Sequence, residues 1–171
     1  MIRPPCTIAM RHNPYGASLA DNAERVRKPG AGDDPRHGAI FGAAFVAGLA
    51  AATNNSVERL LIAAPTGPFG LLDDAFRPRP IRNIHSLLAR AAGAERLDVA
   101  VNRENTAALA FQDGDIVRVL LSNLTPIAIQ FRRPEGTKHA SLVGEGIGQP
   151  SLGSGATLDV PPYRTALLAV G

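Results

Sequence analysis

The period of the apolar residues changes near Gly93, and this confines the chain to a fold with two unlike halves. Up to Gly93 the order reads strand, helix, strand, helix. The apolar run Thr7-Ile8-Ala9-Met10 ends in Arg11-His12-Asn13-Pro14-Tyr15-Gly16, and Val57 to Ala64 runs into Pro65-Thr66-Gly67-Pro68-Phe69-Gly70. Each unit reads as a buried strand that delivers a site-bearing loop, so two loops meet at one rim. Between them, Asp21 to Asp33 is polar and carries Pro29, Gly30 and Gly32, the composition of a long loop. Asp34-Pro35 then opens a helix to Thr53, with Ile40, Phe41, Ala44, Phe45, Gly48 and Leu49 on neighbouring positions and Ala and Gly elsewhere. Such a helix is buried on several sides. Ile81 to Arg90 forms a second helix, with Ile84, Leu87 and Leu88 on one stripe, Gly93 as C-cap and Pro78 and Pro80 stiffening the approach.

From Ala94 onward short runs are bounded by turn formers: Leu97 to Val101, Thr106 to Phe111, Ile116 to Leu121, Ile127 to Phe131, His139 to Val143 and Thr165 to Val170. Gln112-Asp113-Gly114-Asp115 reads as a hairpin turn, and Ser122-Asn123-Leu124-Thr125-Pro126 as a turn or bulge. Two parallel βα units cannot close a sheet alone, because parallel strands need neighbours and helical cover on both faces. A (β/α)₈ barrel takes about 250 residues and carries its chemistry on the loops after its strands. The expected fold is therefore α+β. Two terminal βα units of a (β/α)₈-type barrel occupy residues 1–93, and a small antiparallel β-sandwich occupies residues 94–171.

Composition narrows the function. Of 171 residues 45% are apolar, enough for a core, but aromatics are sparse and Trp is absent, so the core is aliphatic. The net charge of +3 comes from arginines scattered among acidic residues, with no basic block of the kind that binds nucleic acid. Cys6 is the only cysteine, which excludes an internal disulfide and a thiolate metal cluster and fits a cytoplasmic setting. Met1 to Cys6 lacks the apolar core of a signal peptide, and Ile40 to Ala52 is shorter than the about 20 residues that cross a bilayer. The GxxxG spacing of Gly38 and Gly42 in that segment reads as close packing of a buried helix rather than dimerisation.

Arg11 to Ala17, Asp34-Pro35-Arg36 leading into Phe41-Gly42-Ala43-Ala44, and Ala64 to Gly70 resemble the C-terminal part of the D-apionate lactonase family. The likeness is densest over residues 9 to 72. It implies a barrel with associated β-domains, and opening of the D-apionolactone ring to D-apionate. The substrate it implies is a small sugar lactone. No cofactor, metal, nucleic acid or membrane partner is expected, and barrel surface left uncovered would favour self-association. Catalytic competence of this chain alone is not expected, since most of the barrel strands lie outside it.

Attack of water on a lactone carbonyl needs a general base and a donor for the developing oxyanion. His12 is the candidate base; Asn13 and Tyr15 are candidate donors, Arg11 a candidate for carboxylate or hydroxyl groups, and Thr66 a further candidate on the second loop. These roles rest on residue chemistry and placement. The His-Asn-Pro segment reads equally as a turn that fixes backbone, and Pro65 to Pro68 as a rigid turn. His37, His85 and His139 show no ligand spacing, Asp73-Asp74 reads as solvated or capping, and Ser18 and Ser86 lack a nucleophile elbow. Two rival readings stay open: a glycosidase-like barrel fragment, which asks for facing carboxylates the two loops do not offer, and a non-catalytic β-rich binding or structural module.

Overall fold

The computed structural model describes residues 2–3, 37–51, 59–60, 65–66, 70–73, 75–143, 152 and 155–171. In its first half β1 (Ile2–Arg3) lies parallel to β2 (Arg59–Leu60), Ile2 opposite Arg59 and Arg3 opposite Leu60. Helix α1 (His37–Ala51) is the crossover between them, and β2 leads on to α2 (Pro80–Arg90). A parallel pair needs such a crossover, so the strand, helix, strand, helix order expected before Gly93 is present. β2 falls inside the run expected to form the second strand. The run Thr7 to Met10, expected to form the first, lies outside the described residues.

Helix α1 is apolar around its whole circumference, and Ala43, Phe45 and Val46 are buried. Gly42 is buried where α1 meets α2: a Cβ there would stand 2.6 Å from Ile84 Cδ1 and 3.7 Å from Ile81 Cα. Gly42 thus serves packing inside the chain. Helix α2 is amphipathic by contrast. Ile81 and Ile84 are fully buried, Leu87 and Leu88 partly so, while Arg82 and Arg90 face solvent. Pro80 occupies the first helical position, where a missing N–H costs nothing. Past Ala91 the chain turns through Gly93 at φ +84°, a conformation that glycine adopts without a Cβ penalty.

The second half is antiparallel. Its strands are β3 (Arg96–Leu97), β4 (Thr106–Asp113), β5 (Ile116–Asn123), β6 (Ile129–Arg132), β7 (Thr137–Leu142), β8 (Thr157–Val160) and β9 (Thr165–Val170). Five form one sheet in the order β3-β4-β5-β9-β7, and β6 pairs with β8 in a separate ribbon. The expected hairpin turn joins β4 to β5 through Gly114 at φ +60° and Asp115, closing on the pair Asp113 and Ile116. Positive φ at the first central residue alone is the pattern of a type II′ turn.

Alternation along the strands divides the apolar residues between two cores. Leu109, Leu120 and Leu167 are directly opposite one another across β4, β5 and β9, and with Phe111 they meet Phe45, Val46, Ile81 and Ile84 of the helices. Ala108, Leu121, Ala140, Ala166 and Leu168 turn to the other face and meet Leu158 and Val160 of β8, with Phe131 of β6 packed against them. A guanidinium ties the halves as well. Arg96 Nη2 donates to Ala50 O in the last turn of α1 at 2.7 Å, where a cation suits the helix C-terminus.

Three details differ from the sequence reading. β3 pairs over only two residues, and Asp98 to Ala100 are exposed rather than part of a strand. β8 was not foreseen, because its alternation spans four residues amid Gly and Pro. The expected turn at Ser122 to Pro126 is organised by Asn123, which is fully buried. Its Nδ2 donates to Ile127 O (2.7 Å), Val160 O and Pro161 O (both 3.0 Å), and its Oδ1 accepts from Thr125 N (2.8 Å) and Thr125 Oγ1 (2.7 Å). Beside it Ser122 Oγ and Thr165 Oγ1 bond across β5 and β9 at 2.8 Å.

Asn123→Ala removes a partner from three carbonyls and is expected to cost about 2 kcal/mol. Leu120→Ala opens a cavity between helices and sheet and is expected to cost about 2–5 kcal/mol. Urea denaturation checks both, as lower midpoints with an unchanged slope; a wild-type midpoint in either variant contradicts the role given to that side chain.

Candidate functional site

Because β1 and β2 are parallel, the chain leaves both at the same end of the pair. What the structure describes at that end is the connection from β2 to α2. It is closed by backbone bonds: Leu72 N–H donates to Pro65 O (3.1 Å), and Arg79 N–H donates to Leu71 O (2.9 Å). Gly70 is buried at the neck, where a Cβ would collide with the backbone of Thr66 and stand 2.7 Å from Leu72 O. Only glycine fits. Thr66 lies on this neck and is exposed.

Beyond the neck the chain doubles back. Leu72 and Pro78 form an antiparallel bridge, Asp73 N–H donates to Arg77 O (2.9 Å), and Phe76 N–H donates to Asp73 O (2.9 Å). This is a short hairpin whose last loop residue is left-handed, a position that favours Gly or Asn. Here it is Phe76, with φ +60° and 73% exposed. A bulky residue in that region costs about 1–3 kcal/mol, so the rest of the turn must over-determine it. Asp73 does so. Its Oδ1 accepts from the backbone N–H groups of Ala75 and Arg77 at 2.9 Å each, and its Oδ2 accepts from Arg77 Nε at 2.7 Å. The Arg77 backbone N–H, with the Arg77 guanidinium and the Ala75 N–H, holds the Asp73 carboxyl below its ordinary pKa.

Of the candidate site residues, the structure places Thr66. His12, Arg11, Asn13 and Tyr15 lie outside the described residues. Asp73 is a turn-capping group, as read from sequence. Phe76 was not singled out, and the only cue was an Asp at the start of a turn. His85 is half-buried in α2 and His139 exposed on β7, and among the described residues no three His, Cys, Asp or Glu side chains converge as metal ligands. Nor is any helix among them long and apolar enough to cross a membrane.

Two clefts flank the seam between helices and sheet. One, of about 390 Å³, is lined by Arg90, Phe111, Gln112, Asp113 and Arg118; the other, of about 380 Å³, by Ala50, Arg96, Asp98 and Val99. In the first, Arg118 Nε and Asp113 Oδ2 pair at 2.9 Å. Both clefts lie by helix C-termini, at the opposite end of the βα units from the connection that bears Thr66 and Phe76.

A depressed native pKa means that the Asp73 contribution is present above the unfolded carboxylate pKa, about 3.9. It is lost as pH falls through the lower native value. Carbon-detected NMR titration is expected to place the Asp73 midpoint below the ordinary range, and Asp73→Asn to speed exchange of the Ala75 and Arg77 amides at neutral pH. A midpoint at or above the ordinary value contradicts the clamp.

Residues 3–93 match the family model for the D-apionate lactonase TIM barrel domain. The chain is similar to the D-apionate lactonase of Brucella anthropi, 35% identical over 98 residues that cover 53% of this chain and 16% of the relative. It therefore spans about a sixth of that relative. Among solved structures it is similar to a GH30 endoxylanase from Clostridium papyrosolvens C71, with TM-score 0.59, 10% identity, and coverage of 81% of this chain and 39% of that one. A conserved exported protein from Bacteroides fragilis matches with TM-score 0.61 and 10% identity, over 80% of this chain and 35% of that one. At such identities these two show a shared fold and nothing of activity. With the family model covering more than half of its length, the chain belongs to the D-apionate lactonase TIM-barrel family.

Proposed function

We propose that the chain forms the C-terminal portion of a carboxylic-ester hydrolase that opens a sugar lactone, D-apionolactone, to its hydroxy acid. The family match over residues 3–93 carries this reading. In the proposed arrangement residues 1–93 supply the closing βα units of a barrel and residues 94–171 a β-sandwich against them. The setting is cytoplasmic and no cofactor takes part. The β1–β2 pair would associate with further barrel strands or with a second chain.

In the proposed mechanism His12 accepts a proton from water as the oxygen attacks the lactone carbonyl carbon. Asn13 and Tyr15 donate hydrogen bonds to the oxyanion of the tetrahedral intermediate. Collapse of that intermediate breaks the ring C–O bond, and the His12 imidazolium returns its proton to the departing alkoxide. Arg11 donates hydrogen bonds to the carboxyl group so formed, and Thr66 bonds a ring hydroxyl from the second loop. No net proton is lost by the protein. The free acid then ionises in solution.

Acid release from D-apionolactone at constant pH, with His12→Ala as control, tests this. Whatever turnover the isolated chain shows is expected to fall by about 100-fold or more in His12→Ala. Turnover indifferent to the substitution removes His12 from the mechanism. A folded chain that does not bind the lactone overturns the reading in favour of a non-catalytic module, whereas binding without turnover fits a chain whose remaining catalytic groups lie on the other barrel strands.

A further inference from the structure

We infer that Phe76 is an apolar platform on which the ring of the sugar lactone packs; this rests on the function proposed above and assigns a substrate contact to it. Nothing in the fold accounts for the residue. Its side chain is 73% exposed, so it adds little to either core, and its backbone sits at φ +60°, where glycine or a short polar side chain such as Asn is preferred. Scattered exposed apolar residues need no explanation, but one that also breaks the local backbone rule does. Such breaks gather where a ligand is held.

Placement supplies the rest. Phe76 lies between β2 and α2, on the side where the parallel strands release their loops, the side that carries chemistry in barrel enzymes. Three hydrogen bonds to the Asp73 carboxylate fix the turn that presents it, so little ordering entropy is lost when a ligand arrives. A five-membered lactone presents a face of polarised C–H bonds, which complements the electron-rich face of a phenyl ring. The exposed Thr66, at the neck of the same connection, offers a hydroxyl to the polar edge of such a ring.

The test is titration of the full chain with D-apionolactone and, separately, methyl β-D-xylopyranoside, followed by NMR of the phenylalanine rings and paired with thermal unfolding. Phe76→Gly is expected to weaken lactone binding at least fivefold while raising or preserving Tm, because the left-handed backbone is then relaxed. Phe76→Tyr is expected to keep wild-type affinity. Binding or turnover of the lactone that is equal in wild type and Phe76→Gly overturns the platform and leaves the lactonase reading intact. Binding of the xyloside alone, lost in Phe76→Gly, overturns both the lactone platform and the lactonase reading and makes Phe76 a contact for a pyranoside. A wild-type chain that binds neither probe, or a Phe76→Gly chain that loses both stability and binding, overturns the platform and makes Phe76 a structural residue.

Discussion

Everything else in the described structure leans on β5, a strand buried on both faces. Leu120 faces the helices and Leu121 the β6–β8 ribbon, so one strand contributes to two cores through nothing more than its period of two. The partners in register, Leu109 and Leu167 on one face, Ala108 and Ala166 on the other, extend the same division across three strands. A shift of one residue would exchange the two sets and put Ser122 in the place of Leu121 and Arg118 in that of Val117. Polar anchors at the end of the strand hold the register. The Ser122–Thr165 bond and the Asn123 network are satisfied only when β5, β8 and β9 stand in one alignment.

That sheet is also what supports the βα portion. Helix α1 offers no polar face to solvent and is stable only against another surface; β4 and β5 supply it, and Gly42 lets α2 approach from the side. The helices in turn set where the β2–α2 connection begins and ends. Its neck is kept narrow by Gly70 against Thr66, and its tip is kept in an unfavourable backbone region by the Asp73 carboxylate. Core packing, a glycine contact and an ion-paired turn form one chain of support that ends at an exposed aromatic ring.

The resemblance to D-apionate lactonases rested on short polar segments after apolar runs, and the family match covers the half in which those segments lie. Most of the strands were legible because short apolar runs bounded by turn formers are a strong local signal, as in Thr106 to Phe111 and Thr165 to Val170. β8 was not, since Thr157 and Asp159 interleave with Leu158 and Val160 and no apolar run stands out. Of the candidate site, Thr66 could be followed into the structure as an exposed residue at the neck of the β2–α2 connection. Phe76 had no signature, because a left-handed residue is recognised in sequence only when it is Gly or Asn.

What the sequence by itself determined was the class of each segment: the switch of period at Gly93, the apolar helix, the amphipathic helix, and the Gly114 hairpin. These are properties of neighbouring residues and follow from backbone sterics and side-chain spacing. Only the tertiary structure decided which faces meet, that Leu120 and Leu121 serve different cores, that Asn123 is a buried hub rather than a surface turn residue, and that an exposed Phe is held against its backbone preference. The first three depend on groups tens of residues apart, whose contact is set by the summed burial of the whole chain and by no local rule; the last depends on hydrogen bonds that form only once the Asp73 turn has closed.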